Sequence, residues 1–325
     1  LAVVGGVNIN TQIRQLARPV DILVATPGRA QDLINQRQLA LADVAITALD
    51  EADQMADMGF LPQVRKLLEL TPQDGQRLLF SATLDGDVNK LVKQFMHDPL
   101  THSTAPVEAA VDTMEHYVAF VGDREARNDV VLAIGAREGK TIMFMRTKHG
   151  VDRQTKKLRR NGINAYPLHG DKGQGARTRA IEGFADGSIP VLVATDIAAR
   201  GIDISDVSLV VHVDPPAEHK AYLHRSGRTA RGGESGRVIT LVMDQQRDEV
   251  SKLIRKAGVE AASFEVSGSN DAELIRVTGA RTPTGTPLPP PGQPAPKPAA
   301  GAAGPKKQGS HRPRGRRRRP AQKGR

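Results

Sequence analysis

The sequence predicts an α/β protein: two successive parallel-sheet lobes, the first incomplete, followed by a disordered basic tail. Three observations lead there. Short β-branched runs alternate with amphipathic helical stretches along most of the chain, the pattern of βαβ units. That alternation breaks once, near 101–112, at His102-Ser103-Thr104-Ala105-Pro106. After about Gly279 the composition shifts to Pro, Gly, Ala, Lys and Arg, with 11 of the 21 prolines. The expected division is a first lobe over 1–105, a second over 113–268 and a tail over 280–325.

Taken in order, the chain opens on Leu1-Ala2-Val3-Val4, an apolar run without an initiating Met. It reads as a strand entered partway, so a truncated N-terminus is expected. A strand at 22–25 leads through a turn to a helix at 30–36. Further strands are expected at 45–49, 78–81, 115–121, 141–145, 191–195, 209–213 and 237–242. Between them lie helices at 87–96, 124–134, 148–160, 175–185 and 246–257. Several of the strands are apolar on both faces, as buried parallel strands are. In such sheets ligands sit at the carboxyl ends of the strands. The tail cannot bury enough apolar area to offset its ordering entropy, so disorder is expected there.

Composition narrows the class. Of 325 residues, 39% are apolar and 25% charged, the balance of a globular protein. No apolar run approaches the length of a membrane span, and the opening run is too short for a signal peptide. Cysteine is absent, which removes disulfides and thiolate zinc sites and is compatible with a reducing, cytoplasmic location. The net charge of +10 is local. Positions 281–325 hold 12 Lys+Arg and no acid, leaving 34 basic against 36 acidic residues in the body.

Asp50-Glu51-Ala52-Asp53 follows the strand at 45–49. A carboxylate at the end of a buried strand can hold Mg²⁺ through water, and a neighbouring Glu can polarise a water toward a γ-phosphate. Alone, such an acidic pair is as readily a helix start. Ser81-Ala82-Thr83 follows the next strand, and adjacent parallel strands would set its hydroxyls beside the Asp53 carboxylate; alone, it would be a helix cap. Thr26-Pro27-Gly28-Arg29 forms a tight strand-to-helix turn whose amides and Arg29 can meet a phosphate. In the second lobe, 195–203 carries Asp196, Arg200 and Asp203 on a glycine-bearing loop. His224-Arg225-Ser226-Gly227-Arg228-Thr229-Ala230-Arg231 spaces Arg228 and Arg231 so that both guanidiniums can reach one anion.

The ordered set Gly5-Gly6, Thr26-Pro27-Gly28-Arg29, Asp50-Glu51-Ala52-Asp53, Ser81-Ala82-Thr83, Leu168-His169-Gly170-Asp171 with Gln174 and Arg177, 195–203 and 224–231 resembles the DEAD-box RNA helicases over residues 1–245. The resemblance implies two RecA-like lobes with ATP in the cleft and RNA across both. It implies that Asp50 handles Mg²⁺, Glu51 activates the attacking water, and Asp53 couples to Ser81 and Thr83. Asp203 would contact the ribose, His224 would join the cleft to the first lobe, and Arg228 and Arg231 would be arginine fingers. Gly6, Thr26, Gly28, Arg29, Gln174, Arg177 and Thr195 would meet the RNA backbone, giving binding without sequence readout. His169 is expected to brace the core or its loop. Ala230 stands where the family commonly has Gly, and Gly173 where Ser is common.

The family's adenine-binding Gln motif and Gly-Lys-Thr phosphate loop do not occur in these 325 residues. Gly135-Ala136-Arg137-Glu138-Gly139-Lys140-Thr141 is a decoy, one residue short between its glycines and placed between a helix and a strand rather than the reverse. A polypeptide of these residues alone is therefore expected to show no RNA-stimulated ATP hydrolysis; measurable turnover would overturn that. The tail is expected to tether RNA in a salt-dependent way, or to act only as a solubilising segment. Ribosomal and mRNA-decay assemblies are the expected settings. The rival readings are a DNA-directed helicase of the same superfamily and a non-enzymatic RNA-binding or annealing protein.

Overall fold

The computed structural model describes residues 1–84, 86–103, 114–199, 206–230 and 235–291. All strand pairings among them are parallel. The first region holds two separate two-stranded pairs. β1 (Ala2–Val3) pairs with β2 (Val24–Ala25), and β3 (Ile46–Leu49) with β4 (Gln76–Leu79). Around them run α1 (Ile9–Leu16), α2 (Pro27–Asn35), α3 (Ala52–Asp57), α4 (Leu61–Glu69) and α5 (Gly86–Phe95). A small core of Leu61, Val64, Leu68 and Leu91 lies against β3 and β4 through Leu49 and Leu79.

The second region is one seven-stranded sheet. Its strands are β5 (Met114–Phe120), β6 (Lys140–Phe144), β7 (Ala165–Leu168), β8 (Val191–Ala194), β9 (Val207–His212), β10 (Gly236–Val242) and β11 (Ala262–Glu265), in the order β11-β5-β10-β9-β6-β8-β7. Its helices are α6 (Arg124–Gly135), α7 (Lys148–Arg160), α8 (Gln174–Ala185), α9 (Asp196–Ala199), α10 (His219–Ser226), α11 (Arg247–Ala257) and α12 (Ala272–Thr278). Period-two alternation sends Met143, Val191, Val193 and Val211 into the core on one face, with Val130, Ile134 and Leu158 of the helices. Ile142, Leu192, Ala194 and Val210 enter the core on the other face, with Phe184 and Tyr222. Both faces are covered, which is why these strands read as unbroken apolar runs.

Local chemistry sets the helix starts. The Asp123 carboxylate accepts from the amides of Glu125 and Ala126, both at 2.9 Å, and so caps α6; Thr147 Oγ1 caps α7 at the Gly150 amide. The expected strands and helices match these elements within a few residues at each end. Sequence reading passed over the two edge strands β7 and β11, and the helices α1, α3, α4, α9, α10 and α12. It also assigned everything after Gly279 to the tail. Residues 280–291 instead lie on the second region, with the Arg281 amide bonded to the Ala133 carbonyl and the Leu288 amide to that of Arg159. Positions 292–325 are outside the described residues.

The Gly135–Thr141 decoy is a helix end, a turn and the start of β6. Lys140 Nζ is held by the Asp206 carboxylate at 2.7 and 2.8 Å and by the Ala185 carbonyl at 2.6 Å, so that lysine is fully committed to structure. No helix among the described residues is long and apolar enough to cross a membrane.

Candidate active site

The motifs of the first region, and those at 168–171 and 195–199 in the second, fall at the carboxyl ends of strands, because the loops of a parallel sheet leave from that edge. Residues 224–228 instead lie at the end of α10 and the turn beyond it. Pairing of β3 with β4 brings the acidic turn beside Ser81. The Ala52 amide donates to the Phe80 carbonyl at 3.1 Å and the Asp53 amide to Ser81 Oγ at 3.2 Å. Ser81 Oγ in turn donates to the Thr83 carbonyl at 2.6 Å. The link between the two loops expected from the sequence therefore exists, but it corrects one detail. It runs through the backbone amide of Asp53, while that carboxylate accepts from the Gln54 amide through Oδ1. The second carboxylate oxygen, buried and without a hydrogen bond, faces His224 Nε2 at 3.8 Å.

Asp50 is exposed, and its Oδ1 accepts from the Glu51 amide at 2.9 Å. Glu51 is left-handed, with φ 51 and ψ 49. A non-glycine residue there costs on the order of 1–2 kcal/mol, and such strain is concentrated at functional sites.

Helix α10 brings the second region to this turn. Its buried Tyr222 stands against two histidines, with its hydroxyl 3.0 Å from His116 Nδ1 and its ring 4.9 Å from that of His212. Burial lowers the pKa of His116 to about 4 and pushes that of His212 well below the usual histidine value, so both are neutral props. So anchored, α10 points His224 at Asp53 and Lys220 Nζ at Thr83 Oγ1, 3.4 Å away. Arg228 Nε donates to the His224 carbonyl at 3.3 Å, which sets it one turn beyond His224. Asp203 and Arg231 lie outside the described residues.

Sequence reading missed the role of Arg225. Its guanidinium is buried and grips the Asp196 carboxylate at 2.5 and 2.9 Å and the Asp214 carbonyl at 2.8 Å, with Phe144 stacked beneath it. It welds the loop after β8 to the motif at 224–231. The signal available was three arginines in eight residues, which does not say which one turns inward. Lys220 was also passed over, since a lysine four residues before His224 has no pattern of its own.

The second group of candidates lines two further loop pairs. β1 and β2 bring Gly6, with φ +75, near the start of α2, whose N-cap is Thr26. Gly28 and Arg29 are inside that helix rather than in a preceding turn. Arg29 donates to the Val7 carbonyl at 3.0 Å and to Gln12 Oε1 at 2.8 Å, pinning the Gly5-Gly6 loop to α2. In the second sheet, β7 and β8 pair Leu168 with Ala194, so the loop at 169–173 and Thr195 are neighbours. Gln174 and Arg177 then open α8 from that loop, Gln174 exposed and Arg177 half-buried. His169 is buried with Nε2 3.2 Å from the Asp152 carboxylate, a contact at poor hydrogen-bonding angle, which fits a bracing role.

This arrangement defines a class: a two-region, parallel-sheet protein with an acidic turn on one region facing a His/Arg helix of the other. The family model for DEAD/DEAH box helicases matches residues 1–91, and that for the helicase conserved C-terminal domain matches 126–233. ATP-dependent RNA helicase DBP2 of Eremothecium gossypii is 39% identical over 257 residues, covering 78% of this chain and 46% of the relative. ATP-dependent RNA helicase CshA of Limosilactobacillus reuteri is also 39% identical, covering 78% and 52%. A solved structure of S. cerevisiae Dbp5 bound to RNA and ADP BeF3 has a TM-score of 0.74 at 29% identity, covering 86% of this chain and 73% of that one. The chain belongs to the DEAD-box helicase family, and it spans about half the length of the curated relatives it matches.

Proposed function

We propose that the protein is an RNA-dependent ATPase that couples ATP hydrolysis to local RNA duplex unwinding or remodelling of RNA–protein complexes. The observation that supports this most directly is the meeting of the acidic turn at 50–53 with α10 of the second sheet, through Asp53–His224 and Thr83–Lys220. A reaction that needs residues from both sheets proceeds only when the two are together, so hydrolysis becomes conditional on what the two regions jointly bind.

In this reading Glu51, on left-handed backbone between Asp50 and Asp53, orients the attacking water. Arg228 and Arg231 stabilise charge on the γ-phosphate, and Asp203 contacts the ribose. Asp50 is the residue that would hold Mg²⁺. Its exposed carboxylate keeps company with no cluster of three or more His or acidic side chains suited to a metal among the described residues. That donor set fits an ion held mainly by water and nucleotide phosphates rather than by a protein cage. When bound, such an ion neutralises charge on the phosphates. Gly6, Thr26, Gly28, Arg29, Gln174, Arg177 and Thr195 form the track for the RNA backbone, without sequence readout. We assign 1–105 and 113–268 to the two lobes, count 280–291 with the second because they are bonded to it, keep the tail for the positions after 291, and place the protein in the cytoplasm.

The test is nucleotide hydrolysis by the chain fused to a segment carrying a Gly-Lys-Thr phosphate loop. Stimulation should be by RNA rather than DNA, and Glu51→Gln should cut turnover about 10²-fold or more with RNA binding intact. Equal stimulation by DNA would favour the DNA-directed rival. RNA binding with turnover indifferent to Glu51→Gln would leave only an annealing or RNA-binding role.

A further inference from the structure

Helix α7 carries a row of cations that the proposed reaction does not use. Its inner side buries Val151, Gln154, Thr155, Leu158 and Arg159. Its outer side presents His149, Asp152, Arg153, Lys156, Lys157 and Arg160, which line an open groove of about 540 Å³. The positions step by three and four residues, so they form a single stripe along the helix. Asp152 is its one acid, and it is engaged by Lys172 at 2.8 Å and His169 at 3.2 Å. Among the described residues Arg153, Lys156, Lys157 and Arg160 have no acidic partner within ion-pair distance. The helix dipole accounts for cations in the last turn, but not for Arg153 and Lys156 in the middle. Like charges at this spacing repel.

Both ends of the stripe are placed by the fold. At its start, the Lys148–Asp171 and Asp152–Lys172 pairs join α7 to the loop that leads into Gln174 and Arg177. At its end, residues 281–291 are fastened to the last turn: the Leu288 amide to the Arg159 carbonyl at 2.8 Å, Arg159 Nε to the Pro289 carbonyl at 2.6 Å, and the Gly285 amide to the Asn161 carbonyl at 3.2 Å. Gly162, with φ +85, admits this strap because a Cβ there would collide with Thr284 and sit 3.0 Å from the Thr286 carbonyl. The last described residues therefore lie beside the far end of the stripe.

We infer that the outer face of α7 is a second RNA site, which docks the phosphate backbone of a duplex flanking the strand held at 174–177. From His149 to Arg160 the helix rises about 17 Å, enough to follow several successive phosphates of one strand. The only ring of the stripe is His149, at its start; from Arg153 to Arg160 there is none on which successive unpaired bases could stack, so that stretch suits the backbone of paired RNA, read by shape and charge. The choice of RNA rests on the proposed function.

The test uses the whole chain and two probes: a blunt RNA hairpin and an unpaired RNA strand, with affinities measured across salt. The combined variant Arg153→Gln, Lys156→Gln, Lys157→Gln, Arg160→Gln should lose about 10-fold or more in hairpin affinity. Its slope of log affinity against log salt should shrink by about 3, while the unpaired strand is held as before. Unchanged hairpin affinity and slope overturn the inference, as does an equal loss on both probes. A variant that keeps the hairpin but loses binding to anionic phosphatidylserine vesicles assigns the stripe to lipid and also overturns it. Wild-type chain that binds the strand but not the hairpin rejects the second site alone; binding to neither rejects the RNA reading as well. A photo-crosslinker at Lys156 in an otherwise native chain gives an independent readout: it should label the hairpin, and absence of labelling on a bound hairpin counts against the site.

Discussion

The two regions carry similar apolar strands and bury them very differently. β8 is buried at all four of its positions, and β6 at four of five. β3 and β4 alternate exposed and half-buried residues, leaving Ile46 58% and Leu78 39% exposed, with Phe80, Val24 and Ile22 exposed nearby. A strand is buried by the layers packed on it, so the same run of residues contributes much in one sheet and little in the other. The acidic turn with its left-handed Glu51 is mounted on the weakly packed pair. The arginine helix is mounted on the strongly packed sheet. Stability is therefore concentrated in the region that supplies His224 and Arg228.

The largest test of that contrast is Arg225→Ala. It strips the partner from Asp196 and empties a buried, stacked position, and should destabilise by about 3–5 kcal/mol in a denaturant melt. An effect below about 1 kcal/mol would mean that the second region is not the stable one. Next comes a matched pair. Ile142→Ala, in the core between β8 and β9, should cost about 3–4 kcal/mol. The same truncation at exposed Ile46 should cost less than about 1 kcal/mol. Comparable losses at the two sites would erase the distinction.

Acid should act on the second region first. The folded pKa of His116 is about 4, below its ordinary value of 6.5, because burial disfavours the charged ring. Protons therefore bind the unfolded chain preferentially between those values. Stability is complete above pH 6.5 and falls as pH drops toward 4, by on the order of 3 kcal/mol from this residue. His212 is shifted the same way and adds to the fall. Urea midpoints at pH 7.5 and 5 would measure it, and His116→Asn should flatten the dependence; a profile identical to wild type would sink the assignment.

The smallest effect concerns Ala230, whose φ of 55 places a Cβ in left-handed backbone. Ala230→Gly should stabilise by about 0.5–1 kcal/mol, since relief of that strain exceeds the added entropy of the unfolded chain. A lower melting temperature in the variant would show that the strain is not there.

What could be read beforehand follows the same division. The central strands β5, β6, β8, β9 and β10 each carry a buried, mostly apolar stretch and were legible. The two missed strands are the two edges of the same sheet. β7 contains Pro167, tolerated because an edge strand needs ladder bonds on one side only, and β11 is mostly exposed. Site residues followed a parallel rule. Motifs of unusual residues in fixed order, such as Asp50-Glu51-Ala52-Asp53 and His224–Arg228, were visible. Arg225, Lys220 and the stripe on α7 were not, because inward or outward orientation of a basic side chain is not written in its neighbours.

The sequence by itself determined the α/β class, the order of the motifs and their position after strands, because these depend on local periodicity and on which residue types the chemistry needs. Tertiary structure alone decided which arginine is a buried clamp. It also decided that the Asp53–Ser81 link runs through an amide, and that residues 280–291 fold back onto α6 and α7. Those outcomes depend on contacts between residues far apart in the chain. Each is set by which surfaces the folded sheets bring together, and no window of the sequence contains that information.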